Sequence, residues 1–254
     1  MRPAQADHDR VAVLGSLYSV VGFGEMVERI LRDAQARRSG YVCVGNVHTT
    51  MTGFADEEYR RITNMSAYSV PDGQPVRWAM RLLGAKEQER VRGPSLMKAV
   101  CDRGRGPGLR HYLYGASPAA LEALVVALES AYPGIQIAGA ESPPFRPLSD
   151  EETRAAVERI NASGAHVLWV GLGAPKQEFW MWNQRDKVKP LMLGIGAAFD
   201  LLAGKIPEAP RWMQAIGMEW LFRLVREPRR LWRRYAFNNP AFVVLFTLQL
   251  LRRR

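Results

Sequence analysis

The stretch that most limits the fold of this chain is Val167-Leu-Trp-Val-Gly-Leu-Gly-Ala-Pro-Lys-Gln-Glu-Phe-Trp180. It begins as a continuous apolar run, breaks at Gly171 and Gly173, and resumes after Pro175 with a helical pattern. A strand apolar on both faces belongs inside a covered sheet, and a helix directly after it makes that sheet parallel. The same alternation recurs along the chain. Strand-like runs at Val11–Leu14, Tyr41–Val44, Ala67–Val70, His111–Tyr114, Ile135–Ala138 and Leu191–Gly194 alternate with amphipathic segments. The clearest helices are Glu25–Arg37, Asp56–Ile62, the segment opened by Pro75, Ser95–Arg103, Pro118–Tyr132 and the segment after Ser149. Ser149-Asp-Glu-Glu152 has the form of a capping box, and Ser117-Pro118 places a natural N-cap before a natural first residue. The expectation is an α/β fold: a Rossmann-like parallel sheet with flanking helices.

Charge divides the chain. Of a net +10, a balance of +8 falls on residues 211–254, where ten arginines face only Glu219 and Glu227. Residues 1–210 then read as the α/β domain, with a candidate seam at the glycine-rich spacer 104–108. Residues 211–254 read as a basic, helical, membrane-associating appendage. Arg223, Arg226, Arg230, Arg233 and Arg234 recur at three- and four-residue steps, close to one helical face. Ala241–Leu251 is eleven apolar-dominated residues ending in arginines, too short to span a bilayer but able to lie on it. Trp212, Trp220, Trp232 and Phe242 face either the core or the membrane, with core contact the default expectation. The first ten residues lack the apolar core of a signal peptide, and Cys43 and Cys101 read as buried thiols of a reducing compartment, so a cytoplasmic location is expected.

In open parallel sheets, ligands bind beyond the carboxyl ends of the strands. That rule gathers Asn46, Asp72, Gly115 and the Gly173–Gln177 loop at one edge. The loop joins a strand to a helix N-terminus, and with Lys176 it reads as an anion site. It carries neither G-x-x-x-x-G-K-[ST] nor G-x-G-x-x-G, because Lys176 stands where the third glycine falls. Asp72 sits in a Pro-Asp-Gly turn at the same edge. It is either a turn-stabilising residue or a general base. Asp200 either accepts from a ligand or caps the next helix. His48 is a lone histidine. The four histidines do not cluster, and no H-E-x-x-H or paired-cysteine pattern exists, so no metal site and no cofactor are expected. Asp7-His-Asp9 matches a D-x-D metal motif but precedes the first strand, and it reads as chance. The absence of G-x-S-x-G argues against a serine hydrolase.

Several stretches together resemble one family. Val70-Pro-Asp-Gly73, Glu89-Arg-Val-Arg-Gly-Pro94, Leu113-Tyr-Gly115, Tyr132-Pro-Gly134, Gly171-Leu-Gly-Ala-Pro-Lys-Gln-Glu178, Phe199-Asp-Leu-Leu-Ala-Gly204 and Glu219-Trp-Leu-Phe-Arg-Leu-Val-Arg-Glu-Pro228 are similar, in order, to the WecG/TagA/CpsF family of bacterial glycosyltransferases. The resemblance implies inverting, metal-independent transfer from a UDP-sugar to a polyprenyl-diphosphate-linked sugar at the inner face of the cell membrane. The implied donors are UDP-N-acetylmannosamine, its uronic acid or UDP-glucose, in cell-wall or exopolysaccharide synthesis. It also implies roles. Asp72 would be the base, with Gln177 and Asn46 beside the reaction. Phe145 would lie near the uracil and Asp200 near the nucleotide. Arg90, Gly115, Gly173 and Lys176 would complete the donor site, and Arg223, Arg230 and Arg233 would meet diphosphate. One departure stands out: where many members have Thr-x-Asn and then an acid, this chain has Val44-Gly-Asn46 and His48, closer to exopolysaccharide-type members.

Two other readings of the residues are weighed. A nucleotide-dependent oxidoreductase would use the same sheet, but the dinucleotide fingerprint is missing. A basic-tailed binding protein without catalysis would take nucleic acid, yet the apolar last segment suits a membrane better, so no nucleic-acid partner is expected. The sequence leaves the oligomeric state open.

Overall fold

The computed structural model describes residues 9–252. Asp7, His8, Arg253 and Arg254 therefore lie outside the described residues.

The chain opens with a hairpin, β1 (Arg10–Val13) and β2 (Ser16–Ser19), paired antiparallel. Leu14 and Gly15, the two turn residues, have φ of 50° and 85°, as a two-residue turn that follows strand twist requires. Val11–Leu14 is thus a strand, but one outside the main sheet, and β2 was not expected. There follow α1 (Phe23–Gln35), β3 (Gly40–Gly45), α2 (Val47–Ala55), α3 (Glu57–Asn64), β4 (Tyr68–Pro71), α4 (Gln74–Leu82) and α5 (Gly93–Arg103). The second run comprises β5 (Arg110–Gly115), α6 (Pro118–Ala131), β6 (Gln136–Glu141), α7 (Asp150–Ala162), β7 (Val167–Gly171), α8 (Lys176–Gln184), β8 (Leu191–Gly194) and α9 (Ala198–Leu202). The tail forms α10 (Arg211–Ala215), α11 (Glu219–Arg226) and α12 (Pro228–Leu251).

The main sheet has six parallel strands in the order β4-β3-β8-β7-β5-β6. It runs unbroken across the 104–108 spacer. One face carries α1, α5, α6 and α9, with Ile30, Met97, Leu124 and Phe199 in a common core. The other carries α7 and α8, with Ile160 and Met181 against Tyr114 and Val170. The helices that follow β5 and β7 therefore lie on opposite faces. Where that happens the strand ends part and a crevice opens. At its floor Gly115 (φ 131°) and Gly171 touch, since a Cβ on Gly115 would fall 2.5 Å from the Gly171 carbonyl carbon.

A third, smaller core joins the hairpin, α4 and α12: Val13, Val76 and Met80 enclose Phe242 and Phe246. Burying each phenylalanine contributes about 2–3 kcal/mol. Gln249 adds two hydrogen bonds to the hairpin, accepting from Leu14 N at 2.9 Å and donating to Ala12 O at 2.8 Å. The segment Ala241–Leu251 is the end of one 24-residue helix rather than a separate unit, with Pro240 inside it. No helix among the described residues is long and apolar enough to cross a membrane.

Two expectations for the tail are corrected. The arginines do not share one helical face, because the helix breaks at Glu227 (φ −128°, ψ 56°) and α12 starts in a new direction. Trp212 and Trp232 are exposed, whereas Phe242 is core. Leu231, the neighbour of Trp232, is the residue α12 turns inward there, which leaves Trp232 on the solvent side.

Candidate active site

The site is built where β3 and β4 end. Asn46 caps α2: its Oδ1 accepts from His48 N at 3.0 Å and Thr49 N at 3.3 Å, while Thr49 Oγ1 accepts from Asn46 N at 2.8 Å. The amide Nδ2 has no hydrogen-bond partner among the described residues. The neighbouring turn is held to the same strand end, with Asp72 N donating to Gly45 O at 2.7 Å. A Cβ on Gly73 would stand 3.3 Å from Asn46 Cβ, so the two loops are in contact and Asn46 and Asp72 line one space.

That space is a cleft of about 270 Å³ between the sheet edge and the tail. Asn46, His48, Asp72 and Arg90 line it from the body, and Glu219, Arg223, Arg234 and Tyr235 from α11 and α12. Asp72 Oδ1 accepts from Gly93 N at 3.3 Å. Burial pushes its carboxyl above the ordinary range, Arg90 pulls it back, and Glu219 pushes it up again. His48 is bonded to Asn238 of α12 (Nδ1 to Nδ2, 3.1 Å). Burial, helped by Arg234, holds it down to about 4, so it is neutral. Opposite Asp72 stand Arg223 and Arg234, whose Nε atoms are buried with no hydrogen-bond partner among the described residues. Burial and the repulsion of Arg223 and Arg230 lower the Arg234 pKa, against a raising influence from Tyr235. A cationic wall with unfilled donors, facing a carboxyl kept basic, is complementary to an acceptor that carries both a hydroxyl and an anionic group.

The remaining predicted residues sit elsewhere along the same edge. Gly115, Gly173 and Lys176 surround the β5–β7 crevice. Phe145, fully exposed, has Lys176 Nζ 5.3 Å from its ring centroid. The loop is less of an anion site than its sequence implied: Pro175 is the N-cap rather than the first helical residue, and Gln177 N is already bonded to Gly173 O at 3.0 Å. Gln177 is only 3% exposed; its Nε2 donates to Glu178 Oε1 at 2.7 Å and its Oε1 is buried without a partner among the described residues. Asp200 lies in the first turn of α9, half-buried.

The walls of crevice and cleft adjoin one another. From Asp72 the contacts run through Gly93 to Ile195, where a Cβ on Gly93 would meet the Ile195 carbonyl oxygen at 3.6 Å. One residue on, a Cβ on Gly196 would stand 3.4 Å from Gln177 Oε1 and 3.9 Å from Gly173 Cα.

Of the three tail arginines expected to meet diphosphate, Arg223, Arg230 and Arg233, only Arg223 lines the cleft. Arg230 is exposed and paired with Glu227 at 3.1 Å, and Arg233 lies over the Trp232 ring. Arg234 takes their place. The inner face of α12 repeats every four residues through Arg234, Asn238, Phe242 and Phe246, which puts Arg233 a hundred degrees away. Glu219, Arg92 and Tyr235 also went unrecognised. The acid in a strongly basic tail was the available signal for Glu219.

Comparison with known families agrees with this geometry. The model of the glycosyl transferase WecG/TagA/CpsF family matches residues 11–254, which takes in the sheet edge, the crevice, the cleft and the tail helices that close it. A match of that extent, on a chain whose strand ends carry the Pro-Asp-Gly and Ala-Pro-Lys-Gln-Glu motifs, makes the protein a glycosyltransferase belonging to the WecG/TagA/CpsF family.

Proposed function

We propose that the enzyme transfers a sugar, with inversion, from a UDP-sugar bound in the β5–β7 crevice to a polyprenyl-diphosphate-linked sugar in the cleft. The donor is UDP-N-acetylmannosamine, its uronic acid or UDP-glucose, and the product enters cell-wall or exopolysaccharide synthesis. Asp72 takes the proton of the acceptor hydroxyl as its oxygen forms a bond to C1 of the donor sugar. The bond from C1 to the phosphate oxygen breaks, and UDP leaves with that electron pair. Phe145 stacks on the uracil under Lys176, with Asp200 at the nucleotide. Gln177 Oε1 and Asn46 Nδ2 hold the sugar between the two sites. Arg223 and Arg234 hold the diphosphate, and with the other tail arginines they carry the stabilisation a metal gives in other transferases. The outer side of α12, with Phe237, Val244 and Leu248 exposed beside Trp232, rests on the inner face of the membrane.

The observation that carries this reading is the half-buried Asp72 carboxyl, raised above its ordinary pKa, across from two arginines with unfilled donors. The test is Asp72→Asn on the full chain, with a UDP-sugar panel, a short-chain lipid-diphosphate sugar and product mass as readout. Turnover falls by roughly a thousandfold while UDP binding by calorimetry is kept. Turnover within tenfold of the parent sinks the base assignment, and no product with any donor sinks the reading as a whole.

A further inference from the structure

Between the base and the tail lies a set of charges that transfer chemistry alone does not require. Two arginines stand beside Asp72, and one carboxylate of α11 takes both. Glu219 Oε2 accepts from Arg90 at 2.6 Å, and its Oε1 accepts from Arg92 at 3.0 Å. All three side chains are largely buried, so the charges are poorly screened by solvent. The Arg90 Nε donates to the backbone oxygen of Asp72, not to its carboxylate. The only hydrogen bond to that carboxylate from the described residues is the one from Gly93 N. Arg90 is thus close enough to reach the Asp72 carboxylate, yet is turned towards α11.

We propose that Glu219 is a positioning residue that draws Arg90 and Arg92 away from Asp72, so that the base is free only when the C-terminal helices are docked. This rests on Asp72 being the base. Without Glu219, Arg92 keeps Glu208 at 3.7 Å, but Arg90 beside Asp72 loses its carboxylate, and an ion pair of Arg90 with Asp72 would leave a weak base. With it, one carboxylate offsets the added positive charge and occupies the fork of Arg90. α10 supports the same arrangement, since Arg90 Nη1 donates to Gln214 O at 3.3 Å and Gln74 Nε2 donates to Ala215 O at 2.9 Å. A tail lifted from the body would take Glu219 with it and quench Asp72, which restrains the enzyme when no acceptor is in place.

The groups facing Asp72 divide by sign, and Glu219 is the one charged group that acts with burial. Burial raises its pKa; Arg90 lowers it, Glu219 raises it, and Arg92 and the Gly93 N–H lower it. Burial opposes the ionisation of Glu219, but Arg90 and Arg92 outweigh it and hold the carboxyl below its ordinary value, so it remains charged. Tyr18 of β2 is pushed up to about 12 and stays neutral, as does His48 of α2. Arg223 of α11 and Arg234 of α12 are the cations across the cleft.

The test is the pH dependence of kcat/KM for the full-length enzyme and two near-isosteric or charge-removing variants. Glu219→Gln moves the acidic limb to lower pH and lowers the plateau by about tenfold, because a more acidic Asp72 is a weaker base. Arg92→Gln moves the limb the other way. Limited proteolysis of each variant reports whether the tail is still docked. Limbs that coincide with the parent's overturn the proposal, whether or not the plateau falls, because a purely structural contact changes the rate without moving the limb. Asp72→Asn separates the two readings. If it stays active, the base assignment has failed. If it is inactive and the limbs do not move, only the role of Glu219 has failed.

Discussion

Glu178 shows how far a residue's surroundings can alter its chemistry. It is 1% exposed, and burial lifts its carboxyl to about 6 despite the hydrogen bond from Gln177. An acid whose folded pKa lies above its ordinary 4.5 favours the fold when protonated. That contribution is complete below pH 4.5 and is lost as the pH rises through about 6, a change of about 2 kcal/mol. Glu178→Gln abolishes the ionisation. Its stability relative to the parent should therefore improve by about 2 kcal/mol between pH 4.5 and pH 6.5, as measured by urea unfolding at a series of pH values. A difference that stays flat would contradict a raised carboxyl. His48 and His111, both held near 4 by burial, act in the opposite sense, since their contribution is full above their ordinary 6.5 and is lost towards 4. The difference between variant and parent, rather than the parent's own curve, is what isolates Glu178.

At the scale of the element, helix termini put the site together. Asn46 caps α2 and lines the cleft with the same side chain, so substitution there has two effects that can be separated. Asn46→Ala should cost about 1 kcal/mol, the usual value of an N-cap, and should also lower turnover. Asn46→Ser restores the cap but not the amide. Thermal unfolding should then recover while turnover stays low; recovery of both would assign Asn46 to the cap alone. Other termini were readable directly. The capping box at Ser149 forms as its residues predict, with Glu152 N donating to Ser149 Oγ at 3.1 Å and Ser149 N donating to Glu152 Oε2 at 2.8 Å. Glu227-Pro228 breaks the tail where proline must. The hairpin turn at Leu14-Gly15 was not readable, because leucine is an uncommon residue at positive φ.

For the whole molecule, the question is how firmly the tail belongs to the body. α12 forms one wall of the cleft and fills a core that the hairpin, α4 and, through Val47 and Met51, α2 also line. Phe246→Ala should cost about 3 kcal/mol, the lower end for a buried phenylalanine. The loss should appear first as local opening: a protease should cut within residues 211–254 of the variant while the sheet domain is still intact, and kcat should fall with it. A variant that resists cleavage until it unfolds as a whole would show that tail and body form a single cooperative unit.

What the sequence determines by itself is local. Apolar runs of strand length, helical stripes, caps and prolines follow from contacts within a few residues, and these were enough for a parallel α/β sheet. The rule that ligands meet the carboxyl ends of strands then located Asn46, Asp72 and the Gly173–Gln177 loop without any contact being known. Tertiary structure decided what depends on direction. Arg233 and Arg234 are adjacent in sequence, yet only Arg234 lines the cleft, because one residue along a helix is a rotation of about a hundred degrees. Glu219 reaches Arg90 across 129 positions of sequence. No periodicity records that meeting, since it exists only once α11 lies against the sheet edge, and the environment of Asp72 depends on it.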